Sequence, residues 1–216
     1  MKNDNDILAQ QKRTMIERHL RGRGISDERV LQAMRDVPRE EYVLPALRSM
    51  AYADRPLPIE HNQTISQPYI VALMTELARP DEDSVVLEVG TGSGYQAAVL
   101  AEIAREVYTI EIIEGLARSA ERVLEAQGYD NVWVRAGDGY LGWPEKAPFD
   151  AIVVTAAPDH VPAPLVEQLK PGGRMVIPVG PVHSTQSLKL ITKQEDGSTR
   201  TEDIIPVRFV PLTGER

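Results

Sequence analysis

Apolar residues recur at two different periods along the chain, and the change from one to the other falls near residue 80. In the first part, Ile7, Leu8, Met15, Ile16 and Leu20 fall at helical spacing, and Arg21-Gly22-Arg23-Gly24 ends that run. Ser26 then reads as the N-cap of a second helix, which carries Val30, Leu31, Met34 and Val37 and stops at Pro38. Residues 52–67 contain Pro56 and Pro58 and show no clear period. A long ordered loop is expected there, and such loops in compact proteins often carry function.

From Ser84 onward, short apolar runs alternate with helical stretches. Strands are expected over 85–87, 107–112, 132–134, 151–154 and 175–179, and helices over 95–104, 115–127 and 164–169. Gly128 stops the second of these helices, and Pro171-Gly172-Gly173 ends the third. Two more strands, 188–192 and 204–207, would be joined by a hairpin turn at Asp196-Gly197. Continuous β-branched runs separated by helices indicate a parallel sheet covered on both faces. The expected fold is α/β, Rossmann-like, with a mostly parallel seven-stranded sheet, helices on both faces and an N-terminal helical segment. Residues 1–80 would form the helical and loop segment, and 81–216 the ligand-binding domain. The order of the last strands is left open by the pattern.

Composition narrows the chemistry. A chain of 216 residues with 42% hydrophobic positions can bury one sizeable core. It has no cysteine, so disulfides, thiolate catalysis and cysteine-ligated zinc are excluded. The formal net charge of −8 repels polyanions on average, and two Phe and two Trp give few platforms for stacking bases, so no nucleic-acid partner is expected. No apolar run approaches membrane-spanning length, and Met1-Lys2-Asn3-Asp4-Asn5-Asp6 is no secretory signal. The expectation is a monomer in the cytoplasm without a membrane partner.

The strongest chemical signal is Glu88-Val89-Gly90-Thr91-Gly92-Ser93-Gly94, a glycine turn between the first strand and its helix. Open α/β sheets bind ligands at such a turn, outside the carboxyl ends of the strands. The spacing is Gly-x-Gly-x-Gly, whereas the dinucleotide fingerprint is Gly-x-Gly-x-x-Gly. That difference favours a ligand without a pyrophosphate and disfavours a nicotinamide oxidoreductase. Glu88 would repel a pyrophosphate but suits the ammonium and sulfonium of S-adenosylmethionine. Glu111, at the end of the second strand, can take both ribose hydroxyls, and Asp138 in Gly137-Asp138-Gly139 can accept from the adenine amino group. Bland alternatives stay open: tight packing for the glycines, a solvated strand end for Glu111, a turn residue for Asp138. Together, Glu88, Gly90, Thr91, Gly92, Ser93, Gly94, Glu111, Asp138 and Gly139 form the expected cofactor site, with S-adenosylhomocysteine as product and no metal.

Histidine catalysis has little support. His19 lies in an early helix, and His160 and His183 flank loops without an acid at a telling spacing. His61, in the long loop, is the one histidine placed to matter. Ser66 is more informative. Followed by Pro68, Ile70, Leu73, Met74 and Leu77, it reads as a helix start, either a plain N-cap or part of an anion site at the helix terminus.

Here the chain resembles a known family. Thr64-Ile65-Ser66-Gln67-Pro68, the glycine turn continued to Tyr95, Leu169-Lys170-Pro171-Gly172-Gly173-Arg174 and Phe209-Val210-Pro211-Leu212-Thr213 resemble protein-L-isoaspartate O-methyltransferase. The likeness runs from about Met15 to Thr213 and leaves the first dozen residues open to disorder. It implies the class I methyltransferase form of the fold, with C-terminal strands on the substrate side. It further implies methyl transfer to the α-carboxyl of L-isoaspartyl residues in damaged proteins and peptides, followed by closure to a succinimide. Thr64, Ile65, Ser66 and Thr213 would contact substrate, with Ser66 as the catalytic residue, an orienting donor rather than a nucleophile. A main-chain carboxyl with a pKa near 3.5 needs no general base, which agrees with the missing histidine–acid pair. The alternatives are a methyltransferase for a small molecule, a nucleic-acid methyltransferase, or a module that binds the cofactor without catalysis. Thr155-Ala156-Ala157-Pro158 lacks the Asn/Asp-Pro-Pro-aromatic motif of many base amino-group methyltransferases.

Overall fold

The computed structural model describes residues 4–182 and 184–215. Helix α1 (Asp4–Thr14) runs on into a π-helical stretch, Met15–Leu20, and a 3₁₀ turn, Arg21–Arg23, and Gly24 ends the run at φ 99°. Helix therefore begins well inside the first dozen residues. Met15, Ile16 and Leu20 are buried, whereas Ile7 of the same periodic set is exposed.

Helix α2 (Glu28–Asp36) buries Val30, Leu31 and Met34 and stops before Pro38. Its cap is Asp27, not the expected Ser26. The Asp27 carboxylate accepts from the Arg29 amide, while the amides of Ser26 and Asp27 both donate to the Glu76 carboxylate at 2.7 Å. A carboxylate from a distant helix thus takes over the strand-like entry that a local serine would have held. The proline-bearing loop contains a two-residue ladder, β1 (Leu57–Pro58) against β2 (Thr64–Ile65). Its reversal passes through His61 and Asn62, both left-handed at φ 56° and 57°. Helix α3 (Pro68–Ala78) follows at once. Pro68 takes its first position, so the cap is Gln67 rather than Ser66, and no side chain caps it.

The main sheet is built from β3 (Val85–Val89), β4 (Glu106–Glu111), β5 (Val132–Ala136), β6 (Phe149–Val154), β7 (Leu169–Val179), β8 (Gln186–Lys193) and β9 (Thr199–Val207). Their order is β5-β4-β3-β6-β7-β8-β9. The pairs from β5 to β7 are parallel, and β8 and β9 are added antiparallel. Helices α4 (Tyr95–Ala101), α5 (Glu114–Ala126) and α6 (Ala163–Glu167) make the crossovers. Strand β7 begins earlier than expected. Pro171-Gly172-Gly173 does not simply end a helix but forms an irregularity inside the strand, where the pairing with β6 jumps from Phe149↔Leu169 to Ala151↔Arg174. The hairpin at Asp196-Gly197 is present, with Gly197 at φ 83° and the Gln194 amide donating to the Ser198 carbonyl.

Alternate strand residues feed two cores. Val86, Val107, Val153 and Val176 face one core, shared with α3, α4, α5 and the N-terminal helices. Leu87, Ile110, Ile152 and Ile177 face the other, covered by Leu165 of α6, Tyr140 and Leu212. The N-terminal segment therefore packs into the same core as the helices on one sheet face. The chain order reverses around β3, which has β4 on one side and β6 on the other, and this opens a crevice at the carboxyl ends of these strands.

Candidate active site

The crevice floor is the turn from β3 to α4. Gly90, Gly92 and Gly94 all have positive φ, at 98°, 53° and 87°. At Gly90 a Cβ would run into Thr155 Oγ1, and this hydroxyl bonds to the carbonyls of Val89 and Gly90. Gly94 starts α4, and a Cβ there would press on Leu124 at 3.3 Å, so its role is packing as well as conformation. Glu111, at the end of β4, locks the turn: one carboxylate oxygen accepts from the Gly92 amide and the other from the Ile113 amide, each at 2.9 Å. Each oxygen retains a second lone pair for a ligand hydroxyl.

Glu88 is fully buried beneath this turn. One oxygen accepts from Thr109 Oγ1 at 2.6 Å, and Thr109 sits opposite it in the β3–β4 register. With its proton committed to Glu88, Thr109 must accept from Thr91 Oγ1, also at 2.6 Å. The other Glu88 oxygen has no partner among the described residues. Burial pushes the carboxyl up to about 8; the Thr109 bond opposes this and the nearby Glu111 charge adds to it. The group is therefore mostly protonated at neutral pH until a cation approaches.

A cavity of about 520 Å³ spans the crevice. Of the expected residues, Glu88, Gly90, Thr91, Gly92, Ser93, Glu111 and Gly139 line it, and so do Thr64, Ile65, Ser66 and Thr213. Gly94 stands behind the wall. Asp138 is turned to other work: one oxygen accepts from the Tyr140 amide at 2.9 Å and the other from the Glu215 amide at 2.6 Å, so it caps the Gly139–Leu141 turn and holds the C-terminal tail. Residues 208–213 close one side of the cavity, fastened where Leu212 N donates to Ala157 O and Ala157 N to Val210 O.

None of the histidines described lines the cavity. His61 lies against Gly115, and His19 is on the first helical run. His160 does have an acid partner, its neighbour Asp159, with Nδ1 2.6 Å from the carboxylate; adjacent residues on an exposed loop meet without any longer-range spacing to reveal it. His183 lies outside the described residues.

Arg39 was not visible in the sequence pattern. It is fully buried, makes no ion pair among the described residues, and reaches two backbone carbonyls: Nε donates to Ala51 and Nη2 to Ser66, both at 2.7 Å. Its guanidinium lies 4.6 Å from the centre of the Tyr95 ring. It thereby ties the Ser66 peptide to the start of α4 from behind the cavity. The Ser66 hydroxyl makes no hydrogen bond among the described residues and faces a space it can donate into. Thr109 was also missed, although a threonine set between Tyr108 and Ile110 in a strand pattern is a readable sign of a buried polar contact.

Comparison with known proteins follows the same lines. The family described as protein-L-isoaspartate(D-aspartate) O-methyltransferase matches residues 10–216. The chain is 60% identical over 202 residues to a protein-L-isoaspartate O-methyltransferase of Opitutus terrae, covering 94% of this chain and 86% of that one. It is 61% identical over 195 residues to protein-L-isoaspartate O-methyltransferase 2 of Polaromonas sp., covering 90% and 92%. A solved protein-L-isoaspartate O-methyltransferase superposes with a TM-score of 0.84 at 32% identity, over 94% of this chain and 66% of that one. A Plasmodium falciparum structure described as a β-aspartate methyltransferase in complex with S-adenosyl-L-homocysteine superposes with a TM-score of 0.78 at 27% identity, over 93% and 97%.

The place of Arg39 gives a stability prediction. Arg39→Met leaves the carbonyls of Ala51 and Ser66 without donors, and should destabilise the fold by about 2–4 kcal/mol in urea unfolding. A loss below about 1 kcal/mol would mean that both carbonyls find other partners.

Proposed function

The chain belongs to the protein-L-isoaspartate(D-aspartate) O-methyltransferase family, and we propose that it methylates the α-carboxyl of L-isoaspartyl residues in damaged proteins and peptides, with S-adenosylmethionine as donor. The observation that carries this reading is the shared cavity: the acidic glycine turn forms one wall and Thr64, Ile65 and Ser66 another.

The chain's residues fit the donor. The unpartnered, buried oxygen of Glu88 and the carboxylate of Glu111 put negative potential where a cationic ligand would lie. The glycine turn allows close approach of the backbone. Glu88, Gly90, Thr91, Gly92, Ser93, Glu111 and Gly139 would hold the cofactor, with Gly94 setting the turn and Asp138 bracing Gly139 from behind. When bound, S-adenosylmethionine supplies a methyl group made electrophilic by its sulfonium.

The rest of the work is positioning. The acceptor carboxyl is ionised at neutral pH, so no side chain has to remove a proton. Ser66 Oγ–H donates to that carboxylate and turns one oxygen toward the donor, while Arg39 holds the Ser66 peptide plane. Thr64, Ile65 and Thr213 bound the acceptor's path, and residues 209–212 exclude water from it. Alignment of this kind can supply roughly 7–11 kcal/mol of barrier reduction. The amide nitrogen of the following residue then attacks the ester carbonyl and expels methanol, closing a succinimide whose hydrolysis restores part of the normal linkage. In this reading, residues 1–80 furnish Thr64, Ile65 and Ser66 of the acceptor wall, and 81–216 the donor wall together with Thr155 and the tail at 208–213. No described helix is long and apolar enough to cross a membrane. Action as a cytoplasmic monomer on protein substrates, without nucleic acid or membrane as partner, belongs to the same proposal and is supported by the net charge of −8.

The deciding assay pairs radiolabelled S-adenosylmethionine with peptides that differ only in L-isoaspartate or L-aspartate. Base-labile label on the isoaspartyl peptide alone is expected; equal labelling, or label stable to mild base, refutes the function. Ser66→Ala should lower turnover by roughly ten- to a hundredfold while leaving S-adenosylhomocysteine affinity nearly unchanged. Unaltered turnover would reduce Ser66 to a wall residue. A third expectation concerns pH. A bound cation favours ionised Glu88, so binding releases a proton and affinity rises with pH until Glu88 is ionised in the free protein, near 8. The ligand's own ammonium titrates in the same range, so the comparison is with Glu88→Gln. The ratio of native to variant affinity for S-adenosylmethionine should grow by roughly five- to tenfold from pH 7 to pH 9. A flat ratio in calorimetry would remove Glu88 from the charge balance.

A further inference from the structure

Past Ser66 the crevice continues into a second cavity of about 400 Å³, which shares Thr64, Ser66, Thr155 and Phe209 with the first. It extends to Gln67, Ile70, Thr185 and Pro206, none of which carries a charge. Arg208 lines both cavities and is the single cation among the described residues that line either one.

Two features make Arg208 more than an ordinary surface arginine. Its backbone is fixed on both sides: Val207 is buried at the end of β9, and the Phe209 amide donates to Gln186 Oε1 at 2.9 Å. Its side chain, in contrast, is exposed and makes no ion pair or hydrogen bond with any described residue. A cation on a pinned backbone, paired with no carboxylate among the described residues, thus lines both cavities, as Ser66 does. In a chain of net charge −8 it is a local exception to a field that repels acidic ligands.

We propose that the second cavity is a subsite for the residue next to the isoaspartate in the substrate chain, and that Arg208 selects an acidic side chain there. The proposal rests on the acceptor reading given above. The donor wall is acidic and the second cavity otherwise uncharged, so a flanking carboxylate gains only at Arg208, while a flanking lysine meets a like charge.

The test uses isoaspartyl peptides that differ only in Glu, Gln or Lys at one flanking position, with each side tried in turn, and compares kcat/KM. The native protein should favour Glu over Lys by about three- to tenfold at one of the two positions. The preference should shrink in about 1 M salt, where screening acts within roughly 3 Å. Arg208→Gln should abolish it, and Arg208→Glu should invert it in favour of Lys. Equal rates on the three peptides, a Glu preference that survives in Arg208→Gln, or a uniform loss on all three in the variants would each overturn the subsite. Failure to methylate any isoaspartyl peptide would overturn the acceptor reading and the subsite with it, whereas equal rates overturn the subsite alone.

Discussion

The site depends on a turn held where L side chains rarely go. Within five residues the backbone enters the left-handed region at Gly90, Gly92 and Gly94, and the Glu111 carboxylate from the neighbouring strand holds the middle of it through the Gly92 amide. Two of the glycines also let something approach: Thr155 beneath Gly90, Leu124 against Gly94. A side chain at either place would cost about 1–2 kcal/mol in conformation alone and would also separate walls that must meet. Because β3, β4 and β6 all end at this turn, its shape sets the distance between the acidic floor and the segment that carries Ser66.

Around that turn the protein tolerates polar groups that a stability optimum would remove. Among the described residues, Glu88 has a buried oxygen without a partner, and Arg39 a buried guanidinium without a counter-ion. A buried unsatisfied group costs about 1–3 kcal/mol, a large share of a net stability of about 5–15 kcal/mol. Neither is scattered at random. Glu88 lies below the donor wall and Arg39 behind the acceptor wall, so a carboxyl able to ionise against a cation and a buried guanidinium are both positioned before any ligand arrives. The hydroxyl chain Thr91–Thr109–Glu88 and the two carbonyls on Arg39 keep each group from relaxing away.

How much of this was legible in the sequence follows from how local each feature is. Strand and crossover positions were readable because β-branched runs and helical periods are local, and so was the glycine turn. Caps were not. Ser26 and Ser66 both looked like N-caps, but Glu76 reaches the first helix entry from fifty residues away and Pro68 moves the second cap to Gln67. Pro171-Gly172-Gly173 looked like a helix stop alone because an irregularity in a strand is defined by its partner, β6, which the local sequence does not contain. Asp138 was expected to accept from the adenine amino group or to serve as a turn residue, and its bond to the Glu215 amide went unread because it joins residues far apart in the chain. Arg39 and Arg208 left no local trace. The importance of one lies in full burial against Ser66 and of the other in its lack of a partner among the described residues, and neither property is periodic.

The same contrast separates the two halves of the reaction. The donor wall comes chiefly from nearly consecutive residues, 88–94 and 109–113, joined by Gly139, so most of its geometry is written in two short segments. The acceptor wall is assembled from Arg39, Thr64, Ser66, Thr155 and the tail at 208–213, which meet only in the folded state. The tail is fixed at Ala157, just past the end of β6, and at Gln186, the start of β8, and residues 208–213 line the first cavity. Substitution at Arg208 can therefore alter which substrates are accepted without disturbing the strand ends that hold the donor. Specificity and chemistry are separable here because they rest on different anchors, the glycine turn for one and the tail for the other.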